Sequence, residues 1–244
     1  MIFEGAISVK AILSNHKRQI NCLYLKEGKD DRNTRYIIEL AKKQEVTIKY
    51  LPEAEINQLA TGFTHGGILL DAEARTYKSV TEIMVKHNFI AIIDGIEDPF
   101  NLGYAMRSLY AFGATAFIIC NRNLAKFEPN ILKSSAGAYE NLKIAKSSDL
   151  KADIELLKQQ HVKVYALQRN PKAVALEAVK FSNNMAFIVG GEKRGISKDI
   201  LKTVDEMVYI TYANNFRNAL NASSAITTFG YAKYLQALSN KKMK

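Results

Sequence analysis

Two apolar strands, each running into a loop rich in glycine or asparagine and then into a helix, constrain the fold of this chain more than any other feature. Met185–Val189 ends in Gly190-Gly191, a charged loop follows, and a helix is predicted from near Ser197. Val208–Ile210 ends in a polar loop holding Asn214, Asn215, Arg217 and Asn218, and a long helix is predicted from near Leu220. Strand–loop–helix units build open α/β sheets, which bind ligands outside the carboxyl ends of their strands. Glycine at such a place lets a ligand approach the backbone. The same pattern is also ordinary punctuation between a strand and a helix.

The preceding residues repeat the pattern. Phe89–Asp94 reads as a strand, and the loop GIEDPFN leads to a helix over Leu102–Phe112. Strand Ala116–Cys120, helix Asn130–Tyr139, short strand Leu142–Ala145, helix Leu150–Gln160 and strand Val162–Leu167 follow. Apolar strands alternating with helices predict a mostly parallel sheet covered on both faces. Residues 1–73 read as a separate small α/β unit. It has a short helix around Ile7–Leu13, strands at Ile20–Leu25, Val46–Leu51 and Ile68–Asp71, and helices at Arg32–Gln44 and Glu53–Ala60. Residues 74–88 are mixed and charged, and are read as a linker running into a short helix. The expected organisation is therefore 1–73, a linker over 74–88, and 89–244.

Thirty-four Lys and Arg against 24 Asp and Glu give a formal charge of +10, which favours a polyanionic partner, naturally a nucleic acid. Lys17, Arg18, Lys29, Arg32, Arg35, Lys42 and Lys43 make the first unit basic. An RNA-binding face and a solvated surface are the two readings of those charges. No apolar run is long enough to span a bilayer, and the N-terminus lacks the basic-then-apolar pattern of a secretory signal. Cys22 and Cys120 sit in apolar contexts that suit reduced thiols in the cytoplasm. GxGxxG, GxxxxGK[ST] and GxSxG are all missing, and the four histidines are scattered, so no metal site is expected.

Three segments together resemble the SpoU (TrmH) family of the SPOUT superfamily. In Asp94–Ala114 the pattern Asn-x-Gly-x-x-x-Arg falls on Asn101, Gly103 and Arg107. In FIVGGEKRGIS the pattern Gly-x-Glu-x-x-Gly falls on Gly190, Glu192 and Gly195. In YITYANNFRNALNASSA the family's Ser-Leu-Asn-Val-Ser becomes Ala219, Leu220, Asn221, Ala222 and Ser223. The resemblance covers Phe89 to about Leu238. More loosely, the first unit resembles the ribosomal-protein-like, RNA-binding substrate domain that many members carry.

The resemblance implies an S-adenosylmethionine-dependent RNA 2′-O-ribose methyltransferase, folded as a trefoil-knotted α/β SPOUT domain and acting as a cytoplasmic homodimer. Ribosomal RNA is the first substrate reading, because a substrate domain is attached, and tRNA the second. Carried over by position, Gly190, Ile210 and Leu220 contact the cofactor. Arg107, Asn101, Glu192 and Asn221 form the catalytic set, in which Arg107 grips a phosphate and places the ribose. The family serine is alanine at 219, so a non-catalytic RNA-binding or ribosome-assembly protein is the rival reading.

Overall fold

The computed structural model describes residues 1–120, 124–191 and 194–242. By internal contacts the chain forms two units, Met1–Thr76 with Asn123–Asn141, and Tyr77–Arg122 with Leu142–Lys244.

The first unit opens with strand β1 (Ile2–Glu4), helix α1 (Ala6–Asn15), β2 (Ile20–Lys26), α2 (Arg32–Lys43), β3 (Ile48–Leu51), α3 (Glu53–Leu59) and β4 (Ile68–Ala72). The strands form one sheet in the order β1-β4-β2-β3. Strand β4 runs antiparallel to β1 and β2, and β2 runs parallel to β3. Asp31 caps α2 by accepting from the Thr34 N–H, and Lys42 and Lys43 close it, as the helix dipole favours.

The second unit begins with the short α4 (Val80–Ile83), held by a reciprocal Ser79–Glu82 capping box. Val80 and Ile83 are buried against the second sheet, so this part of the expected linker is core, while Arg75 is buried in the first unit. Strand β5 (Phe89–Asp94), helix α5 (Pro99–Ala111) and β6 (Ala116–Cys120) follow. The chain then contributes α6 (Glu128–Ser134) and α7 (Ala138–Asn141) to the first unit. One helix was expected there. It is broken where Ala136 and Gly137 both turn to positive φ.

This excursion is fixed by charge. Arg18 donates to Glu128 (2.5 Å) and Glu140 (2.5 Å), and all three side chains are fully buried. Arg75 donates from its backbone to Glu128 and from its guanidinium to the Tyr139 carbonyl, over whose ring it also lies. Paired, hydrogen-bonded charges of this kind survive burial only as a complete set.

The remainder is β7 (Lys143–Ser147), α8 (Leu150–Gln159), β8 (Lys163–Leu167), β9 (Val174–Ala175), β10 (Met185–Gly190), α9 (Lys198–Leu201), β11 (Glu206–Tyr209) and α10 (Ala222–Lys242). Seven strands pair in parallel in the order β7-β6-β5-β10-β8-β11-β9. Ile90, Ile92, Ile118, Ala186, Ile188 and Val164 fill one face with α4 and α8. On the other, Phe187 stacks on Phe229 of α10 at 4.2 Å, and Phe181 meets Phe229 edge-on. Helices α5 and α10 approach closely at Gly230, where a Cβ would lie 2.5 Å from Leu109. Among the described residues no helix is long and apolar enough to cross a membrane.

Candidate cofactor cavity and active site

Because all seven strands run the same way, their carboxyl ends share one edge of the sheet, and the loops after β5, β8, β10 and β11 gather there. The loop after β10 is crossed by its own continuation. Gly195 donates its N–H to the Gly191 carbonyl (2.8 Å) and lies at φ +61. A Cβ on Gly190 would sit 2.5 Å from the Gly195 oxygen, and one on Gly191 would sit 2.9 Å from the Gly95 carbonyl carbon. Three backbone segments thus meet at distances only glycine allows. The expectation was that Gly190 clears room for a ligand. Its first role is to clear room for residues 195 and 196 of the same chain.

A cavity of about 390 Å³ opens beside this crossing. Gly190, Ile210 and Leu220, the predicted cofactor contacts, all line it, and Ala219 does as well. Leu167, Gln168, Arg169, Tyr209, Tyr212 and Arg217 complete much of the wall. Sequence reasoning placed Arg217 in the loop at this edge and missed the others. Their signal was available, since Leu167–Arg169 closes a parallel strand next to β10 and so belongs to the ligand-binding edge. The Tyr212 hydroxyl accepts from the Leu220 N–H (3.1 Å), and the Arg169 guanidinium lies 5.5 Å from the Tyr212 ring. Apolar side chains, exposed glycine backbone and two arginines suit a nucleoside joined to an amino acid: a flat base, hydroxyls and a carboxylate.

A second cavity of about 690 Å³ shares Gly191 and Gly195 with the first and is lined by Asp94, Gly95, Glu97, Asp98, Arg194 and Ser197. Asp94 ends β5 beside Gly190 in the sheet register. Burial holds its carboxyl above the usual carboxylate range, against a hydrogen bond from Cys120. Burial, and then the Asp94 carboxylate, push the Cys120 thiol up to about 12, so that thiol is no nucleophile.

The predicted catalytic residues are distributed differently. Helix α5 begins at Pro99, three residues before the predicted start, because Asp98 caps it by accepting from the Phe100 and Asn101 N–H groups. Asn101 is therefore in the first turn, not in a loop. Arg107, six residues on, lies about 240° around the helix and about 9 Å along it, so the two side chains leave different faces. Arg107 is exposed, and neither residue lines the 390 Å³ cavity. Asn221 caps α10, its Oδ1 accepting from the Ser224 N–H (2.8 Å) and the Ser223 hydroxyl (3.1 Å). Glu192 lies outside the described residues.

Comparisons with known proteins bear on the family and the fold. The model of the SpoU rRNA methylase family matches residues 88–231, and the model for RNA 2′-O-ribose methyltransferase substrate binding matches residues 2–78. The chain is 28% identical over 241 residues, 95% of each chain, to YacO of Bacillus subtilis, provisionally assigned to the TrmH family as a tRNA/rRNA methyltransferase. It is 26% identical to the 23S rRNA (guanosine-2′-O-)-methyltransferase RlmB of Acinetobacter baylyi, over 91% of this chain and 92% of that one. The fold is similar to the SpoU methyltransferase AviRb of Streptomyces viridochromogenes, solved with S-adenosylmethionine (TM-score 0.81, 16% identity, 98% of this chain and 91% of that chain). It is similar also to a crystallised RNA 2′-O-ribose methyltransferase (TM-score 0.78, 20% identity, 98% and 89%). With the family model spanning more than half of its length, this chain belongs to the SpoU family of S-adenosylmethionine-dependent RNA 2′-O-ribose methyltransferases.

Proposed function

We propose that this protein methylates ribosomal RNA at a ribose 2′-hydroxyl in the cytoplasm, as a homodimer, with its C-terminal segment threaded as a trefoil knot. The observation that carries the chemistry is the meeting of Gly190, Ile210 and Leu220 in one cavity beside the glycine crossing. Gly190, Ile210 and Leu220 hold S-adenosylmethionine, with Arg169 or Arg217 available to its carboxylate. When bound, the cofactor supplies an electrophilic methyl group, so no metal is needed. The chain's own residues orient the acceptor and take its proton. Arg107 contributes phosphate grip and charge stabilisation, not proton abstraction, because a guanidinium does not give up its proton near neutral pH. Asn101, in the first turn of α5, and Glu192 belong to the same catalytic set. Asn221 serves it by fixing where α10 begins.

Ribosomal RNA is favoured over tRNA by the attached substrate domain and by the likeness to the 23S rRNA enzyme. The dimer reading rests on exposed apolar side chains on two packed helices. Phe100, Tyr104 and Tyr110 of α5 and Tyr231, Leu235 and Leu238 of α10 are all at least one-third exposed. A surface of that kind fits a second copy. Mapping 2′-O-methyl sites in RNA from cells with and without the protein tests the proposal. One ribosomal position should lose its methyl group, whereas loss confined to tRNA would select the second substrate.

A further inference from the structure

The charge that attracts RNA is unevenly divided. Residues 1–76 hold 11 Lys and Arg against 10 Asp and Glu, whereas residues 77–244 hold 23 against 14. The first unit is therefore nearly neutral, although its family model is that of a substrate-binding domain. Phosphate attraction alone does not explain how it would hold RNA.

A groove on its surface suggests another means. A groove of about 860 Å³ lies among the β2–α2 loop, α3 and the loop from Ala60 to Gly67. The charges of the groove are locally cancelled, with Lys26 on Glu53 (2.7 Å) and Lys29 on Asp31 (2.6 Å). Phe63 stands on its rim with 102% relative exposure, the most exposed large apolar side chain among the described residues. The backbone next to the ring is anchored. Glu4 grips the stem of its loop, accepting from the Thr61 N–H (2.5 Å), the Thr61 hydroxyl (2.8 Å) and the Gly62 N–H (2.9 Å). On the other side, His65 Nδ1 accepts from the Gly67 N–H (3.1 Å), which leaves Nε2–H as a donor. Asn57 adds an amide with both donors and an acceptor.

A solvated aromatic ring beside an anchored stretch of backbone, over a polar, charge-balanced groove, is suited to a nucleobase and poorly suited to a duplex backbone. Unpaired RNA bases stack on such rings and are read by neighbouring donors and acceptors, while paired bases are not available to them. We propose that the groove under Phe63 takes one unpaired base of the substrate RNA, with Phe63 stacked on it and His65 and Asn57 at its edge. The phosphate attraction is then left to the second unit. This rests on the RNA methyltransferase reading above and specifies which feature of the RNA the first unit recognises.

The test uses the full chain, a short labelled oligoadenylate and a fully paired RNA duplex of the same length. Phe63→Ala, a change at a fully solvated side chain, should weaken oligoadenylate binding about tenfold. It should leave duplex binding and the salt dependence unchanged, because no phosphate contact is removed. Phe63→Trp should keep the affinity. It also introduces the only tryptophan in a chain that has none, and that emission should be quenched as oligoadenylate binds. Native affinity in Phe63→Ala, an equal loss on duplex and single strand, or unchanged emission at saturation would each overturn the proposal. Methyl transfer by the native chain is measured separately. Transfer without stacking sinks this inference alone, and stacking without transfer sinks the enzymatic reading alone.

Discussion

Gly190→Ala adds one methyl group at the point where the account places most of its geometric weight. The backbone φ at Gly190 is ordinary, so the cost is steric and not conformational. The new carbon would lie 2.5 Å from the Gly195 oxygen, roughly 1 Å inside normal van der Waals contact. The opposing atoms are backbone, with no flexible end to swing aside. Overpacking costs about 1–3 kcal/mol, and a backbone clash belongs at the upper end. A domain stabilised by about 5–15 kcal/mol survives that. What does not survive is the position of Gly195, which lines both cavities. Affinity for S-adenosylmethionine should fall at least tenfold, or ~1.4 kcal/mol. Titration calorimetry and urea unfolding on the same variant separate the two effects. Gly113→Ala is the control: it meets nothing within 4 Å and lies at φ +87, so it should cost about 1–2 kcal/mol of stability and no affinity. A Gly190→Ala protein with native stability and native cofactor affinity would refute the crossing as the organiser of the site.

Arg18→Ala takes from the buried Glu128 and Glu140 the guanidinium that bridges them and should cost about 3–5 kcal/mol in urea unfolding at neutral pH, whereas a loss under about 1 kcal/mol would show that this bridge is not what holds α6 and α7 in the first unit. Burial alone would raise the Glu4 carboxyl, but the Thr61 and Gly62 hydrogen bonds and Lys133 hold it below its usual range. Its proton is therefore bound more weakly in the folded chain. Its stabilisation is present above the unfolded-state value and is lost as pH falls through the folded one. The stability gap between the native chain and Glu4→Gln should close on acidification, and a gap independent of pH would contradict this. Ala219→Ser restores a hydroxyl to the cavity wall and should raise methyl transfer or leave it unchanged; a clear fall would show that alanine is required there.

Much of the second unit was legible from residues alone. Phe89–Asp94, Ala116–Cys120 and Met185–Val189 are apolar runs bounded by turn signals, and each is a central strand. Strands β1 and β9 were not legible, because three and two residues are too few to show a period. The start of α5 was misjudged because Asp98-Pro99 reads as a turn as readily as a cap and first residue. The joining of residues 123–141 to the first unit depends on Arg18 reaching across more than a hundred positions, which no local pattern records. The motif singled out Gly190, Ile210 and Leu220, which line one cavity, but the steric reason for Gly190 is a chain crossing that exists only in three dimensions. The apparent basic face of residues 1–73 came from naming their cations without setting them against their carboxylates.

The central claim is that this chain transfers a methyl group from S-adenosylmethionine to an RNA ribose, with Arg107 serving the acceptor and the Gly190 cavity serving the donor. Single-turnover transfer to ribosomal RNA by the native chain and by Arg107→Ala, with calorimetric cofactor affinity for both, tests it most directly. The native chain should yield 2′-O-methylated nucleoside. Arg107→Ala should be slower by roughly 10²-fold or more, with cofactor affinity unchanged. Full activity in Arg107→Ala would contradict the assignment of the acceptor side, and no transfer by a native chain that binds the cofactor would contradict the enzymatic claim itself.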